Sequence, residues 1–222
     1  MTSLPTRDYD AFLFDMDGTI LTSIIAAERV WAAWAREHGL DVDVFLPTIH
    51  GKRSIDTVRN LGLPDIDVEA EAQRITQLEI EDVEGIEAIA GVAAFLSTLP
   101  LDRWAIVTSA PRKLAEARIA AAGLLTPPVM VAAEDVQRGK PAPDPFLLGA
   151  EKLGMRPEQC LVFEDTLAGL QAAEAAGMDS VVVTATHHEP LETKIGGVPD
   201  YDELRAIRTP EGRLRLQHTR SR

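Results

Sequence analysis

An α/β fold, with a parallel sheet covered by helices on both faces and one helical insertion, is the architecture the sequence predicts. Three observations predict it. From residue 89 onward short apolar runs alternate with helical patterns, which is how parallel strands joined by crossover helices read. The strands are apolar without in–out alternation, as burial of both sheet faces requires. Between the first strand and this alternation, residues 21–88 show helical periodicity and no strand.

The elements follow in order. AFLF (residues 11–14) is an apolar run stopped by Asp15 and a turn at Gly18, a buried strand feeding a loop. Over residues 23–38, Ile24, Ala27, Trp31, Trp34 and Ala35 recur at helical spacing, with Ser23 placed as N-cap and Gly39 as stop. The insertion continues with helices over 54–61, ended by Gly62 and Pro64, and over 67–83, closed by Gly85. Helices are then expected at 92–99, 112–122, 146–153 and 167–176, and strands at 104–108, 129–132, 160–163 and 180–183. The tail reads as a short helix near 202–207 and an edge strand over 213–217.

Composition narrows the function. Of 222 residues, 45% are hydrophobic and 26% charged, ordinary globular usage that excludes disordered, collagenous and membrane classes. No apolar run approaches the ~18 residues of a membrane span, and MTSLPTRDYD at the N-terminus has no apolar signal core. The expectation is a cytoplasmic protein without a membrane partner. A net charge of -13 argues against nucleic acid, whose phosphates demand clustered Lys and Arg. The single cysteine, Cys160, opens the apolar run CLVF and reads as packing. The basic stretch over 205–222 reads as a solvated terminus.

Chemistry is expected beyond the C-terminal ends of the strands, where loops of a parallel sheet converge. Asp15 and Asp17 follow the first strand, Thr108 and Ser109 end the strand over 104–108, and Glu164 and Asp165 end the strand over 160–163. Lys140 lies in the loop QRGKPAPDP before a helix. Carboxylates packed together repel unless a cation sits among them, and a hard ion such as magnesium resolves that conflict. The lysine, the hydroxyls and backbone N–H groups beside Ser109 then suit phosphate oxygens. A phosphate ester is the implied substrate. Asp15 is placed to attack phosphorus, and Asp17, two residues on, to protonate the leaving oxygen and then activate water.

Four motifs in this order, FDMDGT (14–19), VTSA (107–110), GKPAPDP (139–145) and FEDTLAG (163–169), resemble the haloacid dehalogenase superfamily in its phosphatase branch. The resemblance spans nearly the whole chain. It implies a Rossmann-like core, residues 1–20 and 89–222, and a helical cap domain, residues 21–88. It further implies Asp15 as nucleophile, Asp17 as acid/base, and Ser109, Ala110 and Lys140 around the phosphate. Magnesium would be held by Asp15, Asp165 and the Asp17 carbonyl, with Glu164 a ligand or a support behind them. ERVWAAWAREHGL (28–40) and HGKRS (50–54) are similar to bacterial sugar phosphatases, especially those acting on hexitol and related sugar phosphates. Thr22 stands where many relatives carry an acid, and Ala27 where β-phosphoglucomutases carry a cap histidine. Ala27 thus weighs against a mutase.

The expected function is a magnesium-dependent phosphohydrolase of a small sugar or sugar-alcohol phosphate, a monomer or weak homodimer. The alternatives are a sugar phosphomutase or a glycerol or glycolate phosphate phosphatase. A phospho-accepting receiver also pairs acids with a lysine, but is about half as long and carries its acceptor on a later strand. His50, Lys52 and Arg53 are the substrate-binding candidates, although a solvated helix-start cluster explains the same charges. Trp31 and Trp34 read as core, and His187 and His188 as loop residues.

Overall fold

The central sheet grows from strands whose alternate residues enter two different cores. A computed structural model describes residues 4–187, 189, 191 and 193–219. The chain opens with β1 (Asp8–Tyr9), β2 (Ala11–Phe14) and β3 (Leu21–Thr22). The insertion follows as α1 (Ile24–Glu37), α2 (Val42–Phe45), α3 (Ser54–Leu61) and α4 (Val68–Glu81), and returns through β4 (Glu87–Ala88). Next come α5 (Val92–Ser97), β5 (Trp104–Val107), α6 (Arg112–Ala121), β6 (Met130–Val131), α7 (Asp144–Leu153), β7 (Cys160–Glu164), α8 (Leu167–Ala175) and β8 (Asp179–Val183). The last elements are β9 (Gly197–Val198), β10 (Leu204–Arg208) and β11 (Leu214–His218).

Strands β6, β5, β2, β7, β8 and β9 form one all-parallel sheet in that order. Phe12, Phe14, Ile106, Leu161, Phe163 and Val181 lie in one core, under α5 and α6, while Ala11, Leu13, Ala105, Cys160 and Val162 enter the other, under α7 and α8. Cys160 is fully buried. Because β2 lies between β5 and β7, the loops leaving these three strands are neighbours. Core packing also fixes the strand ends. Phe14, just before Asp15, stacks on Phe163, just before Glu164, with ring centroids 4.6 Å apart.

The insertion has its own core of Trp31, Trp34, Phe45, Val58 and Ile75. Both tryptophans are buried as expected, and Trp34 Nε1 donates to Glu71 Oε2 at 2.7 Å. The two chain crossings pair as an antiparallel ribbon, Leu21 opposite Ala88 and Thr22 opposite Glu87. A second junction is made by α4, which packs on α6.

In the tail the strand expected over 213–217 forms as β11, central in its small sheet rather than at an edge; the rest departs from expectation. No helix forms at 202–207; β10 lies there, paired antiparallel with β11, which also pairs with β1. Nor are residues 205–219 a solvated basic run, since Leu214 and Leu216 are buried in the main core and Arg215 Nη2 donates to Asp8 Oδ2 at 2.9 Å. The period-two spacing of Leu214 and Leu216 and the turn around Pro210 and Gly212 outweigh the helical propensity of DELRAI. Residues 220–222 lie outside the described residues. Among those described, no helix is long and apolar enough to cross a membrane.

Candidate active site

Three loops bring the acids together. Asp15 leaves β2 with 7% of its surface exposed, its N–H held by the Phe163 carbonyl at 2.9 Å. The chain then turns at Gly18, whose φ of +87° suits glycine, and a Cβ there would sit 2.0 Å from Asp165 Oδ2. Glycine is required twice over. A Cβ at Gly169 would likewise fall 1.7 Å from Glu164 Oε1, so α8 packs its first turn directly on that carboxylate. Glu164 is fully buried and accepts from Thr166 N at 2.6 Å and Thr166 Oγ1 at 2.9 Å.

Lys140 reaches into this group, its Nζ donating to Asp15 Oδ1 at 2.5 Å and Glu164 Oε1 at 2.7 Å. Asp165 accepts from Thr19 Oγ1 at 3.3 Å. Ligand oxygens of Asp15, Glu164 and Asp165 all lie within 4.8 Å of one another. One ammonium faces three carboxylates, so negative charge is left over. Burial pushes the Asp15 carboxyl up to about 7, Lys140 opposing and Glu164 adding to the rise. Asp165 is raised too, by burial and then by Glu164 and Asp15. On Lys140 the two carboxylates outweigh burial and hold the ammonium charged. An all-oxygen donor set with surplus negative charge fits a hard divalent cation.

The Asp17 carboxylate turns away from this cluster. Its Oδ1 accepts from Ser23 Oγ at 2.5 Å and lies 3.0 Å from Arg118 Nη1. Ser23 does occupy the N-cap position of α1, but its hydroxyl caps nothing and serves Asp17 instead. Arg118 Nη2 is 2.9 Å from Glu79 Oε1. Neither Arg118 nor Glu79 stands out in the sequence, each being one charge among several on an amphipathic helix.

A cleft of about 80 Å³ lies beside Asp15 and Asp17, lined also by Ser109, Ala27, His50 and Lys52. Ser109 does not cap α6, whose N-cap position is Pro111 and which has no side-chain cap. The Ala110 N–H donates to Thr108 Oγ1 at 3.0 Å. His50 Nε2 is 3.2 Å from Glu28 Oε1. Arg53 is not brought to the cleft lining; it bonds Asp56 Oδ2 at 2.6 Å and the Gln137 carbonyl at 3.3 Å, tying the insertion to the loop that carries Lys140. His187 is a loop residue, yet its Nε2 lies 2.8 Å from the Asp165 carbonyl oxygen. His188 lies outside the described residues.

Residues 9–177 match the haloacid dehalogenase-like hydrolase family. Hexitol phosphatase A of Escherichia coli (strain K12) is 41% identical over 211 residues, covering 93% of this chain and 98% of that protein. The fructose-1-phosphate phosphatase YqaB of the same organism is 35% identical over 184 residues, covering 79% and 96%. A solved structure of a hydrolase from Pseudomonas syringae matches with a TM-score of 0.75 at 25% identity, over 86% of this chain and 94% of that one. By a family match over residues 9–177 and a relative 41% identical across 93% of its length, the chain belongs to the haloacid dehalogenase-like hydrolases.

Proposed function

We propose that the chain is a magnesium-dependent phosphohydrolase that dephosphorylates a small sugar or sugar-alcohol phosphate through an aspartyl-phosphate on Asp15. The observation that carries this reading is the buried group of Asp15, Lys140, Glu164 and Asp165 opening on a small polar cleft. The named activities of the relatives, on hexitol and fructose phosphates, support the substrate class.

In the first step an Asp15 oxygen forms a bond to phosphorus while the ester P–O bond breaks, and the leaving oxygen takes its proton from Asp17. In the second, Asp17 takes a proton from water, the water oxygen bonds to phosphorus, and the Asp15–phosphorus bond breaks to release inorganic phosphate. Lys140 orients the Asp15 carboxylate and, with Ser109, faces the equatorial phosphoryl oxygens, whereas the Ala110 N–H is taken up by Thr108 Oγ1. Magnesium, held by Asp15, Asp165 and the Asp17 carbonyl with Glu164 behind them, would supply charge neutralisation at the phosphoryl group.

Residues 21–88 act as a cap over the core formed by 1–20 and 89–222, hinged at the β3–β4 ribbon, and exclude bulk water. His50 and Lys52 contribute donors to the sugar, and Arg53 secures the closed cap. Ala27 lines the cleft with no group able to carry a proton, which favours water over a second sugar as phosphoryl acceptor.

A phosphate-release screen over hexose, hexitol, glycerol and glycolate phosphates, with magnesium and with chelator, tests the reading. Many turnovers on hexitol or sugar phosphates, abolished by chelator, are expected. No release from any ester, or release undiminished by chelator, overturns it.

A further inference from the structure

One charged side chain crosses from the sheet unit to the insertion at the edge of the cleft. Arg118, on α6, is 6% exposed, and Glu79, on α4, 4%. The guanidinium reaches Asp17 with Nη1, at 3.0 Å, and Glu79 with Nη2, at 2.9 Å. Arg118 Nε is buried without a hydrogen-bond partner among the described residues. Taking such charges out of water costs several kcal/mol per ion before pairing, and apolar side chains seal a helix contact at least as well. Adhesion between α4 and α6 therefore does not account for the arrangement.

Its geometry does. Ser23 Oγ and Arg118 Nη1 converge on the same oxygen of Asp17, Oδ1, so Oδ2 is the oxygen left to carry a proton. A guanidinium is a rigid planar fork, so fixing one prong on Glu79 fixes where the other grips Asp17. We propose that Arg118, anchored by Glu79, is a positioning residue that aims Asp17 Oδ2 at the leaving oxygen, and does so only when α4 of the insertion is packed on α6. The inference deepens the hydrolase reading and rests on it.

The test compares kcat/KM on two esters, sorbitol 6-phosphate and p-nitrophenyl phosphate. This parameter covers the steps through P–O cleavage, and the nitrophenolate departs with little need of a proton. For Arg118→Lys and Glu79→Gln, the sorbitol ester should lose roughly tenfold or more of the ~10²–10⁴ that a positioned acid contributes, and the aryl ester less than about threefold. Ser23→Ala leaves both ion pairs in place and should keep most of the rate on the sorbitol ester; a selective loss as large as that expected of the pair variants would assign the positioning to Ser23 and refute the role of Arg118. Circular dichroism and thermal unfolding verify the folds. Equal losses on both esters, or none on either, in folded variants would refute the positioning role while leaving the hydrolase intact. A wild-type protein that cleaves neither ester overturns the hydrolase reading and this inference with it.

Discussion

Asp15 stands one residue past a strand whose preceding side chain is stacked in the core, and its Oδ1 is bonded by Lys140. In the proposed reaction, a carboxylate held on both sides needs no reorganisation before attack. Asp15→Asn should therefore lower phosphate turnover at least about 10³-fold, since loss of a nucleophile removes the covalent route, while circular dichroism stays unchanged. Near-normal turnover would take Asp15 out of its role. Gly169 offers a structural counterpart. Gly169→Ala would force a methyl against the buried Glu164 carboxylate, 1.7 Å from Oε1, and should cost about 3 kcal/mol in urea unfolding, the upper range of overpacking. The acids and Lys140 were legible in the sequence because each stands in a strand-end or loop motif of unusual chemistry. The partners of Asp17 were not. Glu79 shares α4 with Glu69, Glu71 and Glu81, and only the contact of α4 with α6 singles it out.

At the scale of elements, runs buried on both faces announce themselves by composition, so β2, β5, β7 and β8 were legible to within a residue or so. A strand over 213–217 was expected and forms as β11, but its hairpin with β10 was not legible, for an energetic reason. Its charges make it resemble a solvated tail, while its stability comes from residues distant in sequence: Asp8 and Asp10, which meet Arg215 and Arg213, and the core that receives Leu214 and Leu216. Long-range pairing of this kind leaves little local trace beyond the spacing of two leucines. Leu214→Ala should accordingly cost about 2–4 kcal/mol by the usual toll of a buried leucine, read from the urea midpoint at constant m-value. A solvated tail would show a change below about 0.5 kcal/mol, and such a result would detach the hairpin from the core.

Across the whole molecule, the cluster at the strand ends sets how stability responds to pH and metal. The protein carries a net charge of -13, yet the acids that matter are the few that burial denies to water. Burial raises the Asp15 carboxyl to about 7, with Lys140 opposing and Glu164 reinforcing, and raises Asp165 as well. In the metal-free fold both groups bind protons more tightly than in the unfolded chain. Their contribution to stability is therefore most favourable below the ordinary carboxylate range and is lost as pH rises toward the folded values, because the unfolded state then holds fewer protons. A divalent cation removes the same repulsion and must displace those protons to bind. The rise in Tm on adding magnesium in place of chelator should thus be small near pH 5 and large near pH 8, following the linkage of cation and proton binding to folding. Thermal unfolding at the two pH values, with and without the ion, reads the difference directly. Asp165→Asn should shrink the gain at the higher pH, since it removes one of the oxygens that carry the surplus charge. An equal gain at both pH values would mean that the cation stabilises some other part of the protein, and the carboxylate cluster would lose its assignment.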